Sequence, residues 1–446
     1  MYKDRTIIAL VGRVNVGKST LYNAILRKKA AITHDRPGVT RDCKYEIWKD
    51  KDSKIRLLVD TPGYDTQENA DSLKDQDLIQ QITSITQVCD IIVYVVDGSV
   101  GIDYADQVLI KKCYASEKPI IVVANKIDID TQECKNDIYR LQAKVHLEIA
   151  AKHKHGINQL IDKIVSIEKE FESDKCFDEV EKYPCFLLMG KPNVGKSTLT
   201  NQLVKQQAAL VSEQAGTTRD SSKHILEWNG KKMTIIDTAG LRRKTKIKDI
   251  VERESVIQVI KALKSNVDVI VYMIDAQEYI TDQDMRIMNM IQAYRKKMII
   301  AFNKSDKLKE ETKKAWREEC NYQLKSMEHI KKIAISAEHG VGMKKLMEEI
   351  DTCINDNKDH STSFLTQILH RALETHQPPM VNNRRIKPKM AHQAKNDSYT
   401  IVIKGNQITK TPKSYLQYLA KFFQKSLKVS GINIIIKIDE SNNPYA

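Results

Sequence analysis

The sequence predicts an α/β protein. Two consecutive domains each form a mainly parallel sheet with helices on both faces, and a small α+β domain follows at the C-terminal end. Three observations predict this. GRVNVGKST at 12–20 returns as GKPNVGKST at 190–198. Short continuous apolar runs alternate with helical stretches in both halves, the pattern of strands buried on both faces. After about residue 360 the repeat and the alternation both stop. A chain of 446 residues also suits about three domains.

The first domain is expected over 3–167, a charged linker over 168–182, the second domain over 183–357 and the C-terminal domain over 360–443. In the first domain IIALVG, IRLLVD, DIIVYVVD and PIIVVAN read as strands that end at motifs. In the second, CFLLMG, MTIIDT, DVIVYMID and MIIAFN take their places. Gly12 and Gly190, Thr40 and Thr218, and Asn125 and Asn303 all lie 178 residues apart, and Asp60 and Asp237 lie 177 apart. This is a duplicated domain rather than a short solenoid repeat.

The linker EKEFESDKCFDEVEK holds seven acids and three lysines and shows no strand or apolar stripe. Beyond it and the second repeat, helices are expected at 363–374 and 413–428, and strands near 386–393, 398–404 and 432–438. Leu416, Leu419, Phe423 and Leu427 form an apolar helix face beside a stripe of Lys421, Lys425 and Lys428.

Composition narrows the function. A charged fraction of 29% with 41% apolar residues fits packed domains rather than wholesale disorder. Apolar runs such as IIVYVV at 91–96 fall far short of the ~20 residues a membrane span needs, and the N-terminus lacks a signal-peptide layout. A cytoplasmic protein with no membrane partner is expected. None of the eight cysteines stands in C-x-x-C spacing. Reduced buried thiols are expected, rather than metal sites or disulfides, and His153 and His155 fit a solvated loop. The net charge is +14, and from Ser361 onward 13 Lys/Arg face 4 Asp/Glu, a surplus of nine. That surplus points to a polyanion partner, most simply RNA.

The repeated motifs carry the chemistry. G-x-x-x-x-G-K-S is a phosphate loop, here Gly12, Arg13, Val14, Asn15, Val16, Gly17, Lys18, Ser19 and Gly190, Lys191, Pro192, Asn193, Val194, Gly195, Lys196, Ser197. Its backbone N–H groups and the following helix N-terminus cradle phosphate oxygens. Lys18 and Lys196 are expected to reach the β- and γ-phosphates, and Ser19 and Ser197 to ligate Mg²⁺. Asp60, Thr61, Pro62 and Gly63, and Asp237, Thr238, Ala239 and Gly240, read as D-x-x-G. Its aspartate belongs to the Mg²⁺ shell and its glycine can offer an N–H to the γ-phosphate. Thr40 and Thr218, 28 residues after the first loop glycine, fit as further Mg²⁺ ligands ordered by GTP.

NKID and NKSD choose the base. Asp128 and Asp306 can accept the two adjacent donors of guanine. Asn125 and Asn303 bond the base or brace the loop, and Lys126 and Lys304 lie along the nucleotide. In ISAEHG, Ser336 and Ala337 can meet guanine O6 through backbone. In IAAKHKHG, Ala150 stands where serine would be and Ala151 keeps the backbone contact, so weaker or differently tuned binding is expected in the first half. The residues after D-x-x-G are Tyr64 and Leu241, where many GTPases carry a water-orienting glutamine.

In these motifs and their order, with DTAGLRRK and a basic C-terminal domain, nearly the whole chain resembles the EngA (Der) tandem GTPases of bacteria. The resemblance implies a GTP-hydrolysing switch in assembly or stability of the large ribosomal subunit and its rRNA. A monomer is expected. The resemblance also implies a KH-like C-terminal fold, although the G-x-x-G loop of RNA-binding KH domains is absent. It further implies that Asn15 and Asn193 help hold a K⁺ ion that stabilises the transition state. The segment LRRKTKIK at 241–248, directly after DTAG, reads either as a contact for RNA or the neighbouring domain in one nucleotide state or as a solvated loop. The alternatives are a first domain that only senses nucleotide, and another RNA-directed GTPase of the same K⁺-dependent class.

Overall fold

A computed structural model describes residues 6–27, 43–49, 54–64, 73–128, 137–172, 183–208, 223–237, 259–260, 263–264, 267–356, 359–381, 384–395 and 397–440. These residues gather into two compact units. One is built mainly on the first repeat, the other on most of the second repeat together with the C-terminal domain.

The first repeat forms a six-stranded sheet from β1 (Ile7–Val11), β2 (Lys44–Lys49), β3 (Ile55–Asp60), β4 (Ile91–Asp97), β5 (Ile120–Asn125) and β6 (Val145–Glu148). Their order is β2-β3-β1-β4-β5-β6. Only the β2–β3 pair is antiparallel. Every residue of β1, β4 and β5 is buried, which explains their uninterrupted apolar sequences.

The helices are α1 (Lys18–Ile25), α2 (Leu73–Val88), α3 (Tyr104–Tyr114) and α4 (Ile157–Glu172). Ile157, Leu160, Ile164 and Ile167 of α4 pack into the core of this sheet. The helix runs past 167 into the stretch expected to be linker. Glu168 is buried there, with Arg56 Nη2 at 2.6 Å and Lys54 Nζ at 3.2 Å from its Oε2. A buried carboxylate needs such partners, so the first part of the acidic run is structural. Residues 173–182 lie outside the described residues.

The second repeat builds the same sheet from β7 (Cys185–Gly190), β8 (Lys223–Trp228), β9 (Lys231–Asp237), β10 (Val269–Asp275), β11 (Lys297–Asn303) and β12 (Lys332–Ala334). The order is β12-β11-β10-β7-β9-β8. Its described helices include α5 (Lys196–Ala208), α6 (Asp282–Ala293), α7 (Glu310–Gln323) and α8 (Met343–Asn355). In both sheets the phosphate-loop strand, β1 or β7, is central and pairs in parallel with strands on either side. Its C-terminal end is therefore a topological switch point, where open α/β sheets bind ligands.

The C-terminal domain has α9 (Thr362–Thr375), a short ladder of β13 (Met380–Val381) with β14 (Arg384–Arg385), β15 (Lys387–Ala394), β16 (Asp397–Asn406), α10 (Lys413–Leu427) and β17 (Ile435–Glu440). β15 and β16 are antiparallel, and β16 and β17 are parallel. Leu365, Ile368, Leu369 and Ala372 of α9 share a core with Tyr415, Leu419 and Phe423 of α10. The face of α10 is therefore shifted from the expected one. Tyr415 is buried, its hydroxyl donating to the His376 carbonyl at 2.6 Å, while Leu416 and Leu427 are half-buried. The last strand begins later than expected, with Ile432 and Ile434 buried ahead of it.

Three consecutive cations lie at the start of β11, and the first of them joins this domain to the second repeat. Arg295, Lys296 and Lys297 are all buried. Arg295 Nε bonds Asp397 Oδ2 at 3.0 Å and its Nη1 bonds Asn433 Oδ1 at 2.9 Å. Met298 N–H donates to the Gly431 carbonyl at 2.8 Å, and Gly431 N–H donates to the His329 carbonyl at 3.2 Å. No described helix is long and apolar enough to cross a membrane.

Candidate functional site

Each phosphate loop needs backbone that an ordinary residue cannot supply. A Cβ on Gly12 would lie 2.2 Å from the Val95 carbonyl oxygen, and one on Gly190 would lie 2.3 Å from that of Met273. Gly17 and Gly195 have φ of 91° and 96°, and a Cβ on either would meet an asparagine amide at 2.2 Å. Asn15 and Asn193 are also left-handed, with φ of 62° and 60°. Asparagine tolerates that conformation better than most residues. Both side chains are exposed and make no hydrogen bond to the described residues.

Lys18 and Lys196 are buried, and each curls back over its own loop. Lys18 Nζ donates to the carbonyls of Gly12 at 3.0 Å and Arg13 at 2.5 Å. Lys196 Nζ donates to those of Gly190 at 2.8 Å and Lys191 at 2.5 Å. Burial lowers Lys18 to about 8, against the pull of Asp60 and then Asp106.

Ser19 Oγ donates to Asp60 Oδ2 at 2.7 Å. Burial pushes the Asp60 carboxyl up despite that bond. Its other oxygen, Oδ1, is buried without a hydrogen-bond partner among the described residues. A hydroxyl beside an unsatisfied carboxylate is a hard-oxygen donor set that suits Mg²⁺. Thr61 faces the other way, its hydroxyl on the Leu10 carbonyl at 2.7 Å. Gly63 packs against the loop, where a Cβ would lie 2.7 Å from Val14 Cα and 3.0 Å from Lys18 Nζ. Val14 N–H donates to the Tyr64 carbonyl at 3.2 Å. Thr40, Thr218, Thr238, Ala239, Gly240, Leu241 and the segment 241–248 lie outside the described residues, as does the side chain of Asp237.

Asn125 and Asn303 brace loops. Asn125 Nδ2 donates to the Val16 carbonyl at 2.9 Å, and its Oδ1 accepts from Ala151 N–H at 2.9 Å. Asn303 does the same with Val194 at 2.8 Å and Ala337 at 2.9 Å. Each ties the phosphate loop to the base-side loop through one amide. Lys126 and Lys304 are left-handed, with φ of 66° and 60°. Their ammonium groups sit on Asp97 at 2.6 Å and Asp275 at 2.5 Å, two acids the sequence reading did not single out. Each ends the strand after D-x-x-G, in DGS and DAQ, and that matched spacing was the available signal.

The base-side aspartates differ. The Ser336 hydroxyl, more than any other group, holds Asp306 below the usual carboxylate range. Ala150 has no hydroxyl to offer Asp128. A histidine stands by both: His153 Nε2 is 3.3 Å from Asp128 Oδ2, and His339 Nε2 is 3.7 Å from Asp306 Oδ2. His153 thus borders the candidate base pocket. Val16 and Val194 are core residues that contribute backbone. The side chains of Arg13 and Lys191 turn toward α3 and α6, the helices that follow β4 and β10.

Two phosphate loops at switch points, each braced to an N-K-x-D loop, define a tandem P-loop nucleotide-binding protein of the GTPase class. Comparisons with known proteins specify it further. Residues 7–126 and 185–304 each match a family described as "50S ribosome-binding GTPase". Residues 360–438 match the "KH-domain-like of EngA bacterial GTPase enzymes, C-terminal". Among curated relatives, GTPase Der of Photorhabdus laumondii subsp. laumondii is 36% identical over 99% of this chain and 94% of its own length. GTPase Der of Aliivibrio salmonicida is 34% identical over 98% and 94%. Among solved structures, elongation factor SelB of Methanococcus maripaludis aligns with 40% of this chain and 36% of its own, at 21% identity and a TM-score of 0.31. The chain belongs to the Der (EngA) family of tandem GTPases, with a KH-like C-terminal domain.

Proposed function

We propose that this GTPase is a nucleotide-driven switch in assembly or stability of the large ribosomal subunit, working in the cytoplasm as a monomer on rRNA. The observation that carries the reading is the doubling. Both halves keep a phosphate loop, a D-x-x-G, an N-K-x-D and a base-side loop, which gives four occupancy states for one basic domain. Ser19, Asp60 and Thr40, with Ser197, Asp237 and Thr218, would hold Mg²⁺, which when bound neutralises charge on the β- and γ-phosphate oxygens. Asp128 and Asp306 select guanine. Asn15 and Asn193 would hold K⁺ at the crest of each loop, where a neutral carbonyl suits a large monovalent cation and the ion's charge favours hydrolysis. Hydrolysis faster in K⁺ than in Na⁺, lost in Asn193→Ala, is the expected result; equal rates would reduce both asparagines to backbone roles.

The test of the switch is co-sedimentation of the full chain with large ribosomal subunits in a GTP analogue, GDP and no nucleotide. Binding confined to one nucleotide state supports the proposal, and no binding in any state overturns it. A second reading has the first domain sensing nucleotide while only the second turns over. The missing hydroxyl at Ala150 and the Tyr64 carbonyl lying on the Val14 N–H favour it. Unequal turnover by Lys18→Ala and Lys196→Ala would support that reading.

A further inference from the structure

The second residue of each phosphate loop differs, Arg13 in one and Lys191 in the other, yet both side chains end on the same buried acid. Arg13 Nε is 2.7 Å from Asp106 Oδ2, and Asp106 is fully buried. Lys191 Nζ is 2.8 Å from Asp284 Oδ2, with the Asp284 side chain 2% exposed. Beneath each acid lies a buried tyrosine hydroxyl, Tyr94 at 3.0 Å and Tyr272 at 2.8 Å. Above it, the residue capping the helix joins the cation: Asp103 Oδ2 takes Arg13 Nη1 at 3.1 Å, and Thr281 Oγ1 takes Lys191 Nζ at 2.9 Å. Arg13 Nη2 also reaches the Gly101 carbonyl at 3.1 Å. The two copies conserve the acid and the tyrosine while exchanging both surface partners.

A carboxylate taken fully out of water costs several kcal/mol even when paired. Helix capping alone needs no such burial, since exposed caps serve as well. The other end of the tether is the functional one. The carbonyl of residue 13 or 191 holds the phosphate-binding lysine at 2.5 Å, and in the first loop the next N–H pairs with Tyr64. A side chain anchored at its tip fixes its own backbone, and so the direction of the loop N–H groups that follow.

We propose that Asp106 and Asp284 are positioning residues that hold each phosphate loop in its phosphate-accepting shape before nucleotide arrives. They also hold the charge of Arg13 and Lys191 away from the phosphates. Burial pushes Asp106 up despite Arg13. At Asp284 burial is outweighed by the bonds from Lys191 and Thr281, which leave it below the usual range. The lysine copy is thus the better compensated.

This inference rests on reading the loops as phosphate sites, and the test separates the two. Association and equilibrium binding of mant-GDP would be measured on the full chain in a Lys196→Ala background, so that only the first site reports, alongside the thermal midpoint without nucleotide. Arg13→Met leaves the Asp103–Asp106 cap intact and is expected to weaken binding roughly 10–100-fold, the usual loss for an outer-shell partner. Most of that loss should fall in the association rate. Arg13→Lys, which copies the second domain, should restore it, and Arg13→Met with Asp106→Asn together should be no worse than either alone. Variants that lower the thermal midpoint but bind mant-GDP like the parent would make the acid a structural cap and overturn the proposal, as would failure of lysine to restore binding. A parent that does not bind mant-GDP at all would overturn the phosphate-site reading itself.

Discussion

On the proposed function, Asp306 carries the choice of base in the second domain, and its environment bears on how tightly. A carboxylate held ionised by the Ser336 hydroxyl is ready to accept both guanine donors. Asp306→Asn replaces one acceptor with a donor that faces a donor, so GTP binding at that site should fall on the order of 10³-fold or more while xanthine nucleotides gain. Competition binding in a Lys18→Ala background checks this, and unchanged GTP affinity would remove the assignment. Ser336→Ala should loosen the same site by about tenfold, the weight of one hydrogen bond to a charged group. Ala150→Ser should tighten the first site if its lost hydroxyl is what separates the two. What residue type at fixed spacing made legible in sequence was the meeting of Lys18, Ser19, Asp60 and Gly63 around one loop. The dual bond of Asn125 was left open between base and loop, because spacing does not reveal where a side-chain amide points. The buried acids 106 and 284 were missed because each looks like an ordinary first-turn helix acid.

At the scale of elements, strand positions followed from apolar runs because a strand covered on both faces has no polar alternation to confuse it. What those runs hid was the start of β11. RKKM at 295–298 stands where the first repeat has EKPI at 117–120, and that contrast between the copies is the signal that the second sheet is covered at this end. His329 belongs to this joint. Burial, with Lys332 and then Arg295 beside it, lowers it to about 4, and it bonds Gln292 Oε1 at 3.1 Å. A histidine kept neutral in the fold contributes stability above its unfolded value near 6.5 and loses it as the pH falls toward 4. The unfolding free energy of the second unit should therefore drop on acidification across that window, by up to about 3 kcal/mol from this group. His329→Gln should lack that part of the slope. Parallel pH profiles for parent and variant would place the acid sensitivity elsewhere.

For the molecule as a whole, the joint bears on what removal of the C-terminal domain means. The basic surplus beyond Ser361 invites deletion as a test of RNA binding, yet the same deletion strips the second G domain of the partners of Arg295 and of the acceptor for Met298 N–H. Arg295 would lose two carboxylate bonds to Asp397, at 3.0 and 3.3 Å, and its bonds to Asn433. A loss of about 2–3 kcal/mol follows from removing one charge-assisted set, or roughly 4–12 °C in the midpoint of a domain of this size. The effect should be local. Native-state hydrogen exchange on a chain ending at 359 should show the Met298 amide exchanging fast while amides of β1, β4 and β5 keep their protection. A point substitution, Arg295→Met in the full chain, should reproduce part of the loss with every lysine of the basic domain in place. If the truncated chain keeps the parent's midpoint and a protected Met298, the C-terminal domain is an independent attachment and its deletion reports RNA affinity alone. If protection is lost as expected, weakened ribosome binding by the deletion would measure a damaged second G domain as well. RNA contacts, on the proposed reading, would then have to be mapped by charge reversals on α10, at Lys421 and Lys425, which are exposed and are not among the residues bonded across the joint.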